Sequence, residues 1–216
     1  MREPHVIESR RGPAMIVRYP ARTRLNHWLV AFLFLCAGLT GLAIFHPLFY
    51  PLSGFFGGGV WTRILHPFFG VAMALAFFGL FLIVRRENRL DATDRAWLRA
   101  APTLIRGHEE AMPPVGKNNA GQKLVVWVAA WMLVVLLVTG FVFWSPYFAP
   151  AFPVLARRIA VVLHALSATV LILTIIVHIY AGIWVKGSMQ AMTRGTVSEG
   201  WARFHHPLWW RQIKGK

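Results

Sequence analysis

Residues 159–185 read IAVVLHALSATVLILTIIVHIYAGIWV, and this long run indicates the class of fold because it contains no Asp, Glu, Lys or Arg. About twenty predominantly apolar residues suffice for a helix to cross the hydrocarbon core of a bilayer. Lipid cannot satisfy unpaired backbone groups, so such a span is a helix rather than a strand. Three other runs have the same character, at 27–45, 64–84 and 124–143. The sequence therefore predicts an all-α, integral-membrane four-helix bundle.

The composition supports a membrane protein and excludes several other classes. Of the 216 residues, 56% are hydrophobic and 14% are charged, whereas about a quarter of a soluble domain is charged. The net charge of +15 would suit a nucleic-acid-binding protein, but the basic residues lie between the apolar runs, so nucleic acid is excluded as a partner. The single cysteine, Cys36, excludes an intramolecular disulfide and a thiolate-held iron–sulfur cluster. The N-terminal segment lacks the apolar core of a cleaved signal peptide.

Basic residues are distributed unevenly between the two ends of the spans. Twenty lie in the N-terminal segment, the connection 85–123 and the tail, and three lie in the other two connections. The positive-inside rule therefore puts both termini in the cytoplasm. The expected organisation is a cytoplasmic segment at 1–23, a transmembrane domain at 24–185 that includes the cytoplasmic loop 85–123, and a cytoplasmic basic tail at 186–216. Attraction to anionic lipid accounts for these charges, and residues 91–107 are predicted to form a short interfacial helix.

Two histidines lie on the longest predicted helix. Histidine inside a membrane span is costly and is usually functional. His164 and His178 are fourteen residues apart, which corresponds to about 21 Å of rise and about 40° from a whole number of turns. They therefore share a face and lie near opposite membrane surfaces. One metal ion cannot bridge that distance, whereas two haems, one in each leaflet, fit it.

Depth in the membrane pairs these histidines with two others. His27 opens the first span at the predicted inner surface, which is also the surface near His178; these two form the inner pair. His66 opens the second span at the predicted outer surface, at the depth of His164; these two form the outer pair. Two neutral imidazoles leave no open position on an iron, which favours electron transfer over oxygen chemistry. The four histidines are the predicted axial ligands of two haem b groups.

Other residues complete the prediction around these pairs. Gly41 lies at the predicted depth of the outer pair, and Gly70 follows His66 by one turn, so that small residues would admit a macrocycle there. His46 has no partner at its depth and is predicted to be interfacial. The tail sequence His205-His206-Pro207 could bind a metal, but a solvated tail is the preferred interpretation.

Short strings along most of the chain resemble the membrane gamma subunit, the cytochrome b subunit, of respiratory formate dehydrogenases. The strings are RLNHW (24–28), RILHPFFG (63–70), VGKNNAGQK (115–123), LLVTG (136–140), SPYFA (145–149), VLHA (162–165), HIYAGIWVKGS (178–188) and HHPLWW (205–210). The resemblance runs from about residue 24 to residue 210, and RILHPFFG and WVKGS are its most specific parts.

This resemblance implies a di-haem cytochrome b that anchors a formate dehydrogenase in the bacterial inner membrane. It implies an iron–sulfur beta subunit that delivers electrons at the periplasmic side, a molybdenum or tungsten catalytic alpha subunit, quinone reduction at the cytoplasmic side, and a higher oligomer of the complex. The family's haem ligands map onto the inner and outer pairs. Its quinone pocket maps onto Asn119, Gly121 and Gln122, although the family pattern has an aromatic residue where Asn118 stands. From the residues alone, the same stretch is equally well explained as a turn and helix cap.

Three alternatives remain open from the sequence. Related cytochrome b subunits serve nickel–iron hydrogenases and thiosulfate reductases. A haem-free membrane transporter or anchor would need ionisable substrate-binding groups or broken helices with repeat symmetry, and neither is visible in the sequence. A stand-alone transmembrane cytochrome that takes electrons from a small reductant such as ascorbate would need no large partner.

Overall fold

Four long helices contain the four apolar runs. The computed structural model describes residues 6–7, 14–108 and 111–215. Each of the four helices is long and apolar enough to cross a membrane. They are α1 (Ala21–Phe45), α2 (Gly59–Val84), α4 (Ala120–Phe143) and α5 (Val154–Trp184). All four begin several residues before the predicted runs, because backbone hydrogen bonding continues through polar residues that lie beyond the hydrocarbon core.

Shorter helices and strands lie in the N-terminal segment, in the connections between the long helices and in the tail. The predicted interfacial helix is present as α3 (Ala92–Ile105), and it begins with a capping box formed by Asp91 and Asp94. Two 3-10 helices, Pro47–Phe56 and Ala149–Ala151, lie in the two short connections. The remaining elements are α6 (Ser188–Thr193), α7 (Glu199–His205), α8 (Pro207–Lys214), β1 (Val6–Ile7), β2 (Met15–Val17) and β3 (Thr196–Ser198).

The chain forms two compact units, of which the first, here called the bundle unit, comprises residues 25–82 and 127–176. All four long helices contribute to its core, in which small residues let the helix backbones approach closely. The buried core residues are Ala37, Met73, Phe77, Ala129, Ala130, Leu133 and Leu171. Large apolar side chains such as Phe32, Leu75 and Leu166 are at least 60% exposed, as expected for a surface that faces lipid rather than water.

The second unit, here called the loop-and-tail unit, comprises residues 1–24, 83–126 and 177–216, as far as these are described. Its three strands form an antiparallel sheet in the order β1-β2-β3. A separate apolar core joins β2 and β3 to the tail helices, through Ile16, Ala191, Val197, Ala202 and Trp209. Parts of the predicted N-terminal segment, among them Arg2, His5, Arg10 and Arg11, lie outside the described residues.

The prediction of a solvated tail is wrong. His206 is only 3% exposed, and its Nδ1 donates to the carbonyl of Gly116 at 2.8 Å. Leu208 donates its backbone N–H to the carbonyl of Val115 at 3.1 Å. The Arg18 guanidinium, also buried, lies 5.1 Å from the ring centroid of Trp209. The tail is therefore folded against the polar stretch that leads into α4.

Burial of His206 predicts that acid destabilises the loop-and-tail unit. Burial, reinforced by the nearby Arg18 cation, lowers the pKa of His206 to about 3 from its usual 6.5. Above pH 6.5 the imidazole is neutral in the folded and unfolded states alike. Between pH 6.5 and 3 only the unfolded state binds the proton, so the folded state loses stability as the pH falls, by about 1.4 kcal/mol per unit of pKa difference.

Hydrogen exchange of residues 196–214 at pH 7 and pH 5 measures this effect, with faster exchange expected at pH 5. His206→Asn keeps a side-chain donor for the Gly116 carbonyl but does not titrate, so its exchange should be much less sensitive to pH. His108→Asn, at an exposed position of the same unit, is the control and should behave as the wild type does. An equal pH dependence in the His206→Asn variant and the wild type would contradict the prediction.

Candidate functional site

The structure brings the two histidines of the outer pair together inside the bundle unit. His66 on α2 and His164 on α5 have ring centroids 6.2 Å apart, with ring planes inclined at 68°. Bonds of about 2 Å from one metal to a nitrogen of each imidazole would place the two ring centroids roughly 6 Å apart. The distance therefore suits one metal held between the two rings.

Each histidine of the outer pair is held by a threonine of a neighbouring helix. Thr40 Oγ1 on α1 lies 3.0 Å from His66 Nδ1, and Thr139 Oγ1 on α4 lies 3.0 Å from His164 Nδ1. Each hydroxyl donates its only proton to its own helix, Thr40 to the Cys36 carbonyl at 2.7 Å and Thr139 to the Val135 carbonyl at 2.6 Å. The hydroxyl oxygens must then accept from the rings, so Nδ1 carries the proton. This tautomer leaves the Nε2 lone pair of each ring for a metal.

Glycines beside the threonines let the rings lie close to the helix backbone. A Cβ added to Gly41 would lie 3.1 Å from His66 Cε1, and one added to Gly140 would lie 3.5 Å from His164 Cε1. Gly41 thus lies at the depth of the outer pair, as predicted. No atom lies within 4 Å of a Cβ added to Gly70, one turn after His66. Gly41 therefore allows the His66 ring to approach α1 closely, and Gly70 leaves space beside α2 that could admit a haem ring.

These observations test whether the outer pair fits a haem. Two imidazoles with free Nε2 atoms at the observed distance are the donor set of a six-coordinate haem iron. Arg157 lies two helical turns before His164 on α5, and its buried Nε has no hydrogen-bond partner in the part of the chain that the structure describes. A haem propionate would satisfy that cation. The residues present fit the group.

The structure places the histidines of the inner pair in different units. His27 lies in the bundle unit, where its ring is 5.5 Å from that of Trp28 in an edge-to-face arrangement. His178 lies on an exposed face of α5 within the loop-and-tail unit. Their pairing remains a prediction from depth. His46, the predicted interfacial histidine, accepts the backbone N–H of Leu48 at 3.2 Å and so caps the first 3-10 helix.

The predicted quinone residues lie at the start of α4 in the loop-and-tail unit and form a helix cap. Asn119 Oδ1 accepts the backbone N–H of Gln122 at 2.9 Å, and Gln122 Oε1 accepts that of Asn119 at 3.0 Å. This reciprocal arrangement is a capping box. It uses the side-chain oxygens, whereas the two amide NH₂ groups have no partner among the described residues. The cap therefore leaves the NH₂ groups of Asn119 and Gln122 available to donate hydrogen bonds to another molecule.

Three residues at these sites were not predicted. Trp97 of α3 lies against the cap, since a Cβ added to Gly121 would be 3.2 Å from its indole. A sequence signal existed for the other two, Thr40 and Thr139, because a Thr-Gly pair precedes each outer histidine by about 25 residues. No comparable signal exists for Trp97, which the loop brings back to residues 119–122.

Asn118 lies at the centre of a buried hydrogen-bond network. It is 7% exposed, donates to Asn88 Oδ1 at 3.1 Å, and accepts from the Tyr19 hydroxyl at 3.2 Å. The Arg18 guanidinium lies 3.4 Å from the same oxygen. Asn118 therefore ties the loop to the N-terminal segment within the loop-and-tail unit, and its amide is occupied by this network.

Comparison with known proteins identifies relatives that cover nearly the whole chain. Residues 18–195 match the family described as prokaryotic cytochrome b561. The formate dehydrogenase cytochrome b556(fdo) subunit of Escherichia coli strain K12 is 42% identical over 199 residues, which is 92% of this chain and 93% of that protein. The nitrate-inducible cytochrome b556(Fdn) subunit of the same strain is 41% identical over 200 residues, covering 93% and 92%. The formate dehydrogenase cytochrome b556 subunit of Haemophilus influenzae is 38% identical over 197 residues, covering 91% and 83%.

Proposed function

The chain belongs to the prokaryotic cytochrome b561 family, and we propose that it is the di-haem membrane-anchor subunit of a formate dehydrogenase in the bacterial inner membrane. The observation that carries the proposal is the outer pair, His66 and His164, whose rings lie at a haem-ligating distance with Nδ1 of each ring held by a threonine hydroxyl. The relatives that share this chain's length are named as cytochrome b556 subunits of formate dehydrogenases, which supports the assignment of the complex.

Two pairs of residues would hold two haem b groups. His66 and His164 would hold the outer haem, and His27 and His178 the inner one, as their predicted depths require. The haems, when bound, supply one-electron transfer between the two membrane surfaces. Because both axial positions are taken by imidazole, the chain's own residues leave no open iron position for oxygen or a substrate.

The proposed partners supply the electrons that this chain would carry. Its predicted function needs an electron source, and we assign that role to an iron–sulfur beta subunit docked at the outer surface near Arg63, Arg157 and Arg158. A molybdenum or tungsten alpha subunit would oxidise formate. Both termini of this chain would lie in the cytoplasm, as the distribution of basic residues predicts.

Quinone is proposed to bind at the inner surface, beside the cap of α4. The NH₂ groups of Asn119 and Gln122 can donate to a quinone carbonyl without placing a charge in the membrane. Gly121 makes room for the Trp97 indole, which offers an aromatic face close to the same amides. Inward movement of electrons, toward the negative side of the membrane, would work against the membrane potential by about 2.3 kcal/mol per electron per 100 mV. Proton uptake at the cytoplasmic side would make the reaction conserve energy.

Purification of the native complex in mild detergent tests the proposed function. We expect a pyridine haemochrome assay to give two haem b per copy of this chain, together with iron–sulfur and molybdenum or tungsten subunits identified by mass spectrometry. One haem per chain, or none, would contradict the di-haem assignment. Purification as a complete, active single-chain enzyme would contradict the role as an anchor, and a nickel–iron partner would reassign the chain to a hydrogenase.

A further inference from the structure

Each ligand of the outer pair is held by an equivalent pair of residues on a neighbouring helix. Thr40 on α1 is hydrogen-bonded to His66 and is followed by Gly41, and Thr139 on α4 is hydrogen-bonded to His164 and is followed by Gly140. The two Oγ1–Nδ1 distances are both 3.0 Å. The two helices that do not provide the outer ligands thus provide a matching support for them.

We propose that Thr40 and Thr139 are positioning residues that set the tautomer, the ring orientation and the electron donation of the two axial ligands of the outer haem. This inference rests on the proposed function, because it requires that His66 and His164 hold a haem. Neither threonine would touch the haem iron. Both would act through the imidazoles.

The hydroxyl protons decide the direction of each hydrogen bond. Thr40 also lies 3.1 Å from the carbonyl of Ala37, and Thr139 lies 3.3 Å from that of Leu136, so each hydroxyl points its proton into its own helix. The Nδ1–H tautomer is therefore favoured before any metal binds. A preset tautomer removes one of the reorganisations that ligation would otherwise require.

Burial makes these bonds specific to the site. Thr40 is 0% exposed and Thr139 is 6% exposed, so water cannot replace either hydroxyl as an acceptor. Removing the oxygen would leave a buried N–H with a weaker partner. A Cβ added to Gly41 would lie 3.1 Å from His66 Cε1, closer than ordinary van der Waals contact, so this glycine lets the His66 ring pack closely against α1.

The hydrogen bond also has an electronic consequence. A ring that donates from Nδ1 to an oxygen becomes a more basic ligand through Nε2. A more basic ligand stabilises ferric over ferrous iron. The threonines should therefore hold the midpoint potential of the outer haem below the value that it would have with unsupported imidazoles.

The test replaces each threonine with valine, which has nearly the same shape but no hydroxyl, in the complete complex. Thr40→Val and Thr139→Val should raise the midpoint potential of the outer haem, shift its ferric low-spin EPR signal, and weaken its retention about 10- to 100-fold. The inner haem provides an internal reference and should keep its potential and occupancy. Thr40→Ser and Thr139→Ser retain the hydroxyl and should restore the wild-type potential and EPR signal.

Thr169→Val is the matched control. Thr169 lies on α5, is exposed, and donates to the carbonyl of Ala165 in its own helix at 2.9 Å, so loss of its hydroxyl should leave both haems unchanged. Potentials and EPR signals in the Thr40 and Thr139 variants that match those of Thr169→Val would overturn the proposal, as would equal loss of both haems in the valine and serine variants. Absence of haem from the wild-type complex would instead overturn the proposed function on which the inference rests.

Discussion

Replacing His66 or His164 with alanine should remove the same haem from the complex and leave the other in place. The two rings lie 6.2 Å apart in the bundle unit, so either substitution deprives one iron of an axial ligand. His27→Ala and His178→Ala should both remove the second haem. Each variant should lose electron transfer from formate to quinone altogether, because the path between the two membrane surfaces is broken. Haem content and a potentiometric titration of the remaining haem measure the result.

A double variant and a control variant test the pairing of the histidines further. Since both members of a pair serve one iron, the double variant should lose no more haem than either single variant. His46→Ala is the control, because His46 accepts the backbone N–H of Leu48 and caps a 3-10 helix; this variant should keep both haems. Loss of the same haem in a crossed combination, such as His27→Ala and His164→Ala, would show that depth does not determine the pairing.

Substitutions at Asn119 should slow the reoxidation of the haems by quinone while leaving both haems in place. The structure separates two roles of this side chain, since Oδ1 caps α4 and the NH₂ group is available to a ligand. Asn119→Asp keeps the capping oxygen but removes the donor, and Asn119→Leu removes both. An unpaired buried polar group costs about 1–3 kcal/mol, or roughly five- to a hundredfold in quinone affinity. Stopped-flow reoxidation with a quinol-site inhibitor as reference measures the effect.

Comparison of the two variants distinguishes binding from folding. Slow reoxidation in both supports a direct contact, whereas slow reoxidation in Asn119→Leu alone would assign the residue to capping only. Gln122→Glu, which retains its capping oxygen, should resemble Asn119→Asp. A bound inhibitor should also protect residues 115–123 from hydrogen exchange. Normal kinetics in every Asn119 variant, with the inhibitor bound beside the outer haem, would reverse the proposed direction of electron flow.

The depth of a residue in a membrane can be estimated from the sequence, and this estimate allowed the outer pair to be predicted. Span ends are marked by basic residues, and each helical residue adds about 1.5 Å of depth. His66 and His164 could therefore be matched although 98 positions separate them. The same reasoning predicted Gly41 beside the outer pair, where the structure places it against His66.

In the polar segments, the types of neighbouring residues did not suffice to predict the fold. The tail contains histidines, tryptophans and basic residues that suit a solvated surface equally well, and no hydrophobic period was long enough to indicate a core. Its fold depends on pairing β3 with β2, and on contacts of His206 and Leu208 with residues about 90 positions earlier. The pattern at 118–122 was equally ambiguous, because a capping amide and a ligand-binding amide have the same sequence.

The four apolar spans, the match of His66 with His164 and the resemblance to a family of cytochrome b subunits could all be predicted from the sequence. These depend on hydropathy and helical rise, which are properties of neighbouring residues along the chain. Other features became visible only in three dimensions: Thr40 and Thr139 are hydrogen-bonded to His66 and His164, and Trp97 lies against the cap of α4. Asn118 and His206 are buried in the loop-and-tail unit. Each of those contacts joins residues far apart in the chain, and their partners follow from the rotation and packing of the helices, which no local pattern specifies.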